Sequence, residues 1–336
     1  MNNTVHIITE ANAEVATGHF SEARVISERL SAENINVNIL VNKDIPQPLL
    51  DTLECSFAYY DDITECIDIV KGYPLVITDL RRVDNEFIKA LKKHSDKTKV
   101  LCIDELGFMR LDCDIIINPL IDPYYHTYEL PKATKLFAGA EYMLMKPQFS
   151  KLAKKSRELS KAIESITICM GGADTPGTTM RVLEGLNDFH GCINVVVGGG
   201  FKHNDALEKL KRSNINIYQN IQNIYDIFIN TDLAFCSGGN VLYELACLGT
   251  PAVTVYTNPH EKRSADCFAL RGFGKCICQA NELNPQNVKE VIDSFQSLDT
   301  RHSHMIAGKE LIDGLAPERI WNIIQTSLSL DTKGHL

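Results

Sequence analysis

The chain has 336 residues, of which 44% are hydrophobic and 23% charged, and its formal net charge is −9. This length exceeds what one hydrophobic core usually organises, so we expect two domains. The negative charge argues against a general nucleic-acid binder, which needs a basic face for phosphates. No run approaches the ~18 apolar residues of a membrane span, and the opening MNNTVHIITE does not resemble a signal peptide. We therefore expect a cytoplasmic protein without an integral membrane segment.

In chain order, short runs rich in Val and Ile alternate with amphipathic stretches of helix length. The first half contains VHIITE, VNILVN, PLVITDL, VLCIDEL and IIINPL, with helices predicted at 19–33 and 85–94. The second half repeats the rhythm with SITICMGG, INVVVGGG, INIYQN, LAFCSGG, PAVTVYT and KCICQA. Near-continuous apolar strands with intervening helices indicate parallel sheets covered on both faces. We predict two doubly wound, Rossmann-like α/β domains.

The predicted domains span residues 1–148 and 165–330. The stretch 149–164 is polar and basic and lacks strand character, which indicates a linker or an interdomain helix. LAPERIWNIIQTSL predicts a terminal helix, followed by a polar tail at 331–336. The eleven cysteines are scattered and form no CxxC pair, so we expect free buried thiols rather than zinc or disulfide sites.

The first candidate site is the turn VATGHF, in which Gly18 and His19 open a helix. A helix N-terminus favours an anion, and its dipole would keep the imidazole neutral and able to accept a proton. A cap residue in a tight turn is the alternative. Asp79 ends one later strand, and Asp104, followed by Glu105, ends the next. These carboxylates would bind sugar hydroxyls or orient His19, or else they cap helices.

The second candidate site is the loop that follows the first strand of the second half. ITICMGGADTPGTTM places Gly171 and Gly172 between a strand and a helix, where backbone can approach a phosphate. The segment is neither GxxxxGK[ST] nor GxGxxG, so it is neither an ATP P-loop nor a dinucleotide fingerprint. A glycine turn without a ligand is the alternative.

The third candidate site is LAFCSGGNVLYELACLGTPAV. Gly238 and Gly239 follow a strand and open a helix with Asn240 in its first turn, and Glu244 lies about one turn further. The glycines allow a diphosphate to approach the helix N-terminus. The carboxylate would accept hydrogen bonds from the two vicinal hydroxyls of a ribose.

The order S-G-G-x-x-x-x-E-x-x-x-x-G-x-P in this segment resembles the C-terminal domain of GT-B nucleotide-sugar enzymes. Within that superfamily, the chain is similar to the UDP-sugar hydrolases of pseudaminic acid biosynthesis and to spore-coat polysaccharide proteins. The likeness covers roughly residues 5–320. The matching positions are Thr17-Gly18-His19 for a GxGH-like turn, Asp79 and Asp104 at strand ends, Gly171-Gly172-Ala173-Asp174 for a GGxD loop, and Gly238-Gly239 with Glu244.

The resemblance implies a GT-B-like fold whose two domains face a central cleft, with the nucleotide on the second domain. It implies that Glu244 holds the ribose and that loop backbone at 171–174 and 238–240 holds the diphosphate. Asn258 and His260 stand in the loop that contacts the sugar in the family.

For the chemistry, the resemblance implies that His19 activates water, with Asp79 and Asp104 as further catalytic residues. The substrate would be a UDP-activated deoxy or acetamido sugar, hydrolysed to UDP and free sugar in a surface-polysaccharide or nonulosonic acid pathway. No cofactor or metal is implied. The chain departs from the family at Ala16, where a glycine is usual, and at Glu22, where the hydrolases commonly have arginine.

Two other functions remain open from the sequence. A GT-B glycosyltransferase would move the sugar to an acceptor, and a non-catalytic protein would only bind the nucleotide sugar. A hydrolysing 2-epimerase shares the architecture, but its motif order suits this chain less. A homodimer is left open as the assembly state.

Overall fold

The structure, a computed structural model, describes residues 4–11, 18–81, 83–93, 98–104, 106–107, 110–210, 212–219, 221 and 223–332. The chain forms two compact units. Unit 1 comprises Met1–Pro147 and Leu315–Leu336, and unit 2 comprises Gln148–Gly314. Within the described ranges, no helix has both the length and the apolar character needed to cross a bilayer.

Unit 1 is built on a parallel sheet of seven strands. These are β1 (Thr4–Thr9), β2 (Asn36–Asn42), β3 (Ser56–Tyr60), β4 (Leu75–Asp79), β5 (Lys99–Ile103), β6 (Ile115–Asn118) and β7 (Lys135–Ala138). Their order in the sheet is β3-β2-β1-β4-β5-β6-β7, and every pairing is parallel. The helices that accompany them are α1 (Gly18–Ser31), α2 (Gln47–Leu50), α3 (Glu65–Ile69) and α4 (Asn85–Lys93), with short 3-10 helices at Pro123–His126 and Ala140–Tyr142.

Both faces of this sheet are buried, as the continuous apolar runs predict. Ile7, Ile39 and Ile77 lie side by side in one hydrophobic cluster, whereas Ile8 and Leu40 belong to the cluster on the opposite face. The sequence analysis missed β3 and β7, the two edge strands. Most of their side chains are exposed or half-buried, so neither strand has the apolar run that marked the others.

Unit 2 is built on a parallel sheet of six strands in the order β10-β9-β8-β11-β12-β13. These are β8 (Ser165–Cys169), β9 (Cys192–Val197), β10 (Ile215–Gln219), β11 (Leu233–Cys236), β12 (Ala252–Tyr256) and β13 (Lys275–Gln279). Five of them lie within runs that the sequence analysis predicted as strands, and β9 begins one residue before its run. The helices are α5 (Pro147–Ala153), α6 (Thr178–Gly185), α7 (Asn204–Lys209), α8 (Ile224–Phe228), α9 (Asn240–Leu248), α10 (Pro259–Leu270), α11 (Pro285–Ser294) and α12 (Leu298–Leu311).

The last helix, α13 (Ala316–Thr332), belongs to unit 1 although it follows unit 2 in the chain. Its buried residues Ala316, Ile320 and Ile324 join the cluster that contains Phe20 and Leu30 of α1. The sequence analysis placed residues up to 330 in the second domain because the helix follows that domain directly. The apolar face of α13 instead covers α1, which corrects that boundary.

The predicted linker at 149–164 is part of unit 2 and is fixed to it by buried charges. The Arg157 guanidinium donates hydrogen bonds to the Thr231 carbonyl and to Thr250 Oγ1. Arg301 on α12 is fully buried and donates to the carbonyls of Ser160 and Lys161 at 2.9 and 3.0 Å. The segment is therefore an ordered part of the second unit rather than a free tether.

All eleven cysteines carry free thiols, and none of them is exposed. Burial raises the pKa of Cys169 and of Cys247 to about 12. These thiols are therefore protonated at neutral pH and act as core residues.

Candidate functional site

Each sheet has one point where the strand order reverses. In unit 1 the chain passes from β1 outward to β2 and β3, and β4 then pairs with the other side of β1. In unit 2, β8 and β11 are the corresponding neighbours. Ligands in open α/β sheets bind beyond the carboxyl ends of the strands at this switch point. The loops after β1, β4, β8 and β11 therefore define the candidate site in each unit.

His19 and Asp79 meet at the switch point of unit 1. α1 begins at Gly18, and β4 ends at Asp79. His19 Nδ1 lies 2.7 Å from Asp79 Oδ1, with Asp79 fully buried and 16% of the His19 side chain exposed. Thr17, the first residue of the predicted motif, lies outside the described residues. The structure thus brings together two of the predicted catalytic side chains.

The hydrogen bond determines which nitrogen of the neutral His19 ring carries the proton. An ionised carboxylate only accepts, so Nδ1 donates and Nε2 keeps its lone pair. Burial raises the pKa of Asp79, while the hydrogen bond and charge of His19 act in the opposite direction. Its second oxygen, Oδ2, has no hydrogen-bond partner among the described residues. A base oriented by a buried carboxylate is an arrangement suited to proton transfer.

Glu22 is a third acidic group at this place, and the sequence analysis did not include it in the site. It is buried on α1, three residues after His19. Its carboxylate, the His19 ring and the Asp79 carboxylate contribute atoms that all lie within 4.8 Å of one another. The i, i+3 spacing on a helix is the sequence signal that would have found it. Because Nδ1 and Oδ1 are joined by a hydrogen bond, we treat these three side chains as a proton-transfer group.

Asp104, the third predicted catalytic residue, accepts hydrogen bonds from the segments that follow β5 and β6. Its carboxylate accepts hydrogen bonds from the backbone of Leu106 at 3.3 Å and of Gly107 at 3.0 Å. The Tyr128 hydroxyl donates to it at 2.7 Å and in turn accepts from the Asn118 amide at 2.7 Å. The neighbouring Glu105 lies outside the described residues. Asp104 therefore connects Leu106 and Gly107 with Tyr128, and its catalytic role stays a prediction.

The glycine loop after β8 packs closely on the loop after β9. Gly200 donates its backbone N–H to the Gly172 carbonyl at 3.0 Å, and a Cβ on Gly198 would stand 2.6 Å from the same oxygen. Gly171 has φ +81, which favours glycine, whereas a Cβ on Gly172 would meet nothing within 4 Å. The predicted glycines thus form an open turn whose shape depends on the neighbouring loop.

Asp174, predicted as a substrate contact, caps α6 instead. Its two carboxylate oxygens accept from the backbone N–H groups of Thr178 and Thr179, both at 2.8 Å. The residue is buried and has φ +45, a conformation that Asp tolerates better than most residues. The carboxylate therefore occupies the place that an anion would take at the start of α6. A direct contact of Asp174 with substrate has no support from these hydrogen bonds.

The start of α9 differs because no side chain caps it. Gly239 precedes the helix in an extended conformation and makes no side-chain cap. A Cβ on Gly238 would stand 2.2 Å from the Glu261 carbonyl oxygen of α10, so this position requires glycine. At Gly239 the nearest atom to a Cβ is Ser237 Oγ at 4.0 Å, which leaves open space. The backbone N–H groups of Asn240 and Val241 therefore follow a glycine turn whose N-cap residue offers no side-chain oxygen.

Glu244 stands one turn into α9 and is half-buried. Its negative charge raises the pKa of Cys169, the last residue of β8. Burial is the larger cause of that raised pKa. The predicted ribose ligand stands on the helix that follows β11, a switch-point strand.

Asn258 begins α10 as its N-cap. Its side-chain oxygen accepts from the Glu261 backbone N–H at 3.0 Å, and Glu261 accepts in return from the N–H and hydroxyl of Thr257 at 2.6 and 2.8 Å. This resembles a capping box, except that Glu261 accepts from the residue before the N-cap. The predicted sugar contact at Asn258 is therefore a helix cap here, whereas His260 is exposed in the first turn.

No model of a known protein family matches the chain. A protein of Methanocaldococcus jannaschii, described as uncharacterized, is 27% identical over 335 residues. The match covers 93% of this chain and 66% of that protein, so the chain spans about two thirds of the relative's length.

Solved structures are similar along nearly the whole chain. MurG of Acinetobacter baumannii has a TM-score of 0.68 at 14% identity, covering 96% of this chain and 99% of MurG. CalG4, the calicheamicin glycosyltransferase, has a TM-score of 0.67 at 12% identity, covering 97% and 98%. A putative UDP-N-acetylglucosamine 2-epimerase from Listeria monocytogenes has a TM-score of 0.63 at 13% identity, covering 98% and 97%. The predicted GT-B-like fold is confirmed.

Proposed function

We propose that the protein is a glycosyltransferase that moves a sugar from a nucleoside diphosphate to an acceptor hydroxyl. The observation that carries the proposal is the His19–Asp79 pair at the switch point of unit 1. The likeness to solved structures described as glycosyltransferases supports transfer as the reaction. Hydrolysis of a UDP-sugar is the second candidate, favoured by the order along the chain of the motifs at 17–19, 171–174 and 238–244. It uses the same base with water as the acceptor, and a role in pseudaminic acid or polysaccharide biosynthesis stays a prediction.

In this proposal the diphosphate binds at the start of α9. Backbone N–H groups and the positive end of the dipole make an uncapped helix N-terminus favourable for an anion. By contrast, Asp174 caps α6 and Asn258 caps α10. Of these three helices in unit 2, α9 alone begins without a side-chain cap and directly beyond a switch-point strand.

The ribose is assigned to Glu244. A carboxylate accepts hydrogen bonds from two vicinal hydroxyls at once, and such charge-assisted bonds are stronger than neutral ones. Glu244 is half-buried and lies one helical turn from the proposed diphosphate position. This places the two polar parts of a nucleotide along one helix.

The proposed reaction breaks one bond and forms one bond at the anomeric carbon. The acceptor oxygen bonds to that carbon while its proton passes to Nε2 of His19. The bond from the carbon to the diphosphate oxygen breaks, and its electron pair leaves with UDP. Asp79 stabilises the imidazolium that results. Proton transfer of this kind contributes roughly 10²–10⁴-fold to a rate.

The test is a panel of UDP- and CMP-sugars followed by phosphorus NMR. Each donor is incubated alone and with a mixture of monosaccharides, phenols and short polyprenyl phosphates. A transferase releases UDP only when an acceptor is present, whereas a hydrolase releases UDP and free sugar in water alone. His19→Ala should abolish either reaction, and the exposed His302→Ala should not.

Three outcomes would contradict the proposal in different ways. Binding without turnover of any donor by the wild type would indicate a non-catalytic nucleotide-sugar binding protein. Unchanged turnover in His19→Ala would contradict the assignment of His19 as the catalytic base. Failure of every nucleotide to bind would contradict the assignment of the diphosphate to α9 and of the ribose to Glu244.

A further inference from the structure

The imidazole of His19 has two buried carboxylates beside it rather than one. Asp79 reaches it from β4 and Glu22 from its own helix, with all three groups within 4.8 Å of one another. Other charges among the described residues surround Asp79. Glu10, after β1, adds a negative charge that raises the pKa of Asp79. Arg81, an exposed residue after β4, donates its backbone N–H to the Glu10 carboxylate at 2.8 Å.

Counting the charges of His19, Asp79 and Glu22 indicates that an added proton stabilises this group of side chains. With Asp79 and Glu22 ionised and His19 neutral, two negative charges lie close together in a buried place. Such an arrangement is unfavourable because burial penalises charge and like charges repel. One added proton lowers the net charge to −1, and on the imidazole it is attracted by both carboxylates at once.

The dipole of α1 opposes this effect but is smaller. A helix N-terminus carries the equivalent of about half a positive charge, which alone would keep the imidazole neutral. Two full negative charges outweigh that half charge at comparable distances. The expectation of a neutral His19, which rested on the dipole alone, did not include Glu22.

We propose that Glu22 is a positioning residue that, together with Asp79, keeps a proton on the His19 ring at neutral pH. The ring then becomes a base only as the solution turns alkaline. Glu22 thus sets the pH at which the proton acceptor of the site is available. This deepens the proposed function and rests on it only for the activity readout described below.

The primary test is a histidine NMR titration of the full chain, which requires no substrate. The ring signals are followed from pH 5 to 9 with EDTA present, and the His19 signal is assigned by its loss in His19→Gln. We expect the wild-type midpoint above neutral pH. Glu22→Gln should lower it by about one pH unit or more, a tenfold weaker proton affinity. Glu28→Gln is the matched control: it lies on the same helix, half-exposed, and pairs with Arg24.

The titration midpoints of wild type, Glu22→Gln and Glu28→Gln can each overturn the proposal. A wild-type midpoint below neutrality, or a ring that does not titrate in this range, contradicts it. An equal midpoint in wild type and Glu22→Gln also contradicts it, as does an equal shift in Glu28→Gln. If Glu22→Gln does not fold, as judged by circular dichroism, the wild-type midpoint decides the question.

The second readout is the pH profile of kcat/KM with a donor that is turned over. Removing the Glu22 charge should move the acid limb to lower pH by the same amount as the NMR midpoint. Below neutrality, Glu22→Gln should then retain a larger fraction of its own maximum than the wild type does. A loss of activity that is equal at all pH values would indicate a merely structural role and contradict the proposal. If no donor is turned over, the proposed function fails, and the NMR titration still decides the role of Glu22.

Discussion

Asp79→Asn should separate activity from stability at the switch point of unit 1. The substitution keeps the shape of the side chain and removes the negative charge 2.7 Å from His19. A hydrogen bond to a charged group is worth about 1.5–3 kcal/mol. If that energy supports the imidazolium in the transition state, kcat should fall roughly 10- to 150-fold. The assay is UDP release from the best donor, compared with wild type at saturating donor.

The same substitution should change the melting temperature by less than about 5 °C. Burial raises the pKa of Asp79, so the folded state binds its proton more tightly than the unfolded state does. The stability from this carboxyl is present below its ordinary pKa and is lost as the pH rises through the raised value. Asn carries no charge to bury, but it also loses the attraction to a proton on His19, so the two effects on stability oppose each other.

Asp104→Asn is the matched control, at the end of the adjacent strand. Its carboxylate accepts from two backbone N–H groups and the Tyr128 hydroxyl, so Asn should destabilise the fold by about 1–3 kcal/mol. Urea unfolding followed by circular dichroism measures this loss, and kcat of the folded protein should stay near wild type. Two results would refute the reasoning: unchanged kcat in Asp79→Asn, or a fall in its melting temperature of more than about 5 °C.

Further predictions concern unit 2. Gly238→Ala should destabilise the protein by about 1–3 kcal/mol in urea unfolding, since its Cβ would lie 2.2 Å from a carbonyl oxygen of α10. Gly239→Ala should unfold like wild type but bind UDP about tenfold more weakly by calorimetry, because its Cβ enters the proposed diphosphate position. Asp174→Ala should lose about 1–2 kcal/mol in urea unfolding through the uncapped α6; equal stability would contradict the cap. Glu244→Gln should weaken UDP binding about tenfold, and the exposed Glu184→Gln should not.

The sequence predicts those strands whose side chains are buried on both faces. The runs that became β1, β4 and β8 are buried at nearly every position and rich in Val and Ile, because helices cover both sides of a central parallel strand. Edge strands are not covered in this way, so their side chains need not be buried, and SFAYY and KLFA have no comparable apolar run. The placement of α13 was also hidden, since an amphipathic pattern shows that a helix packs but not which surface it covers.

For the candidate site, the sequence indicated where side chains lie but not what they bind. Strand ends identified both Asp79 and Asp104, yet only the fold shows that one faces His19 and the other receives three hydrogen bonds from its own loops. Likewise, Asp174 and Asn258 look like ligands in a motif and are helix caps in the structure. Capping depends on the backbone path of a loop, which residue order alone does not specify.

The position of α13 has a consequence for the order in which the chain is synthesised. Unit 2 is a continuous segment, Gln148–Gly314, so all of its residues are synthesised before α13. Unit 1 begins first but is completed last, because Ile320 and Ile324, which fill its core, are synthesised only after unit 2. Until then the apolar face of α1 lacks its cover and is open to chaperones or to aggregation. Loss of the last helix would therefore damage the unit that carries His19, although that residue lies near the opposite end of the chain.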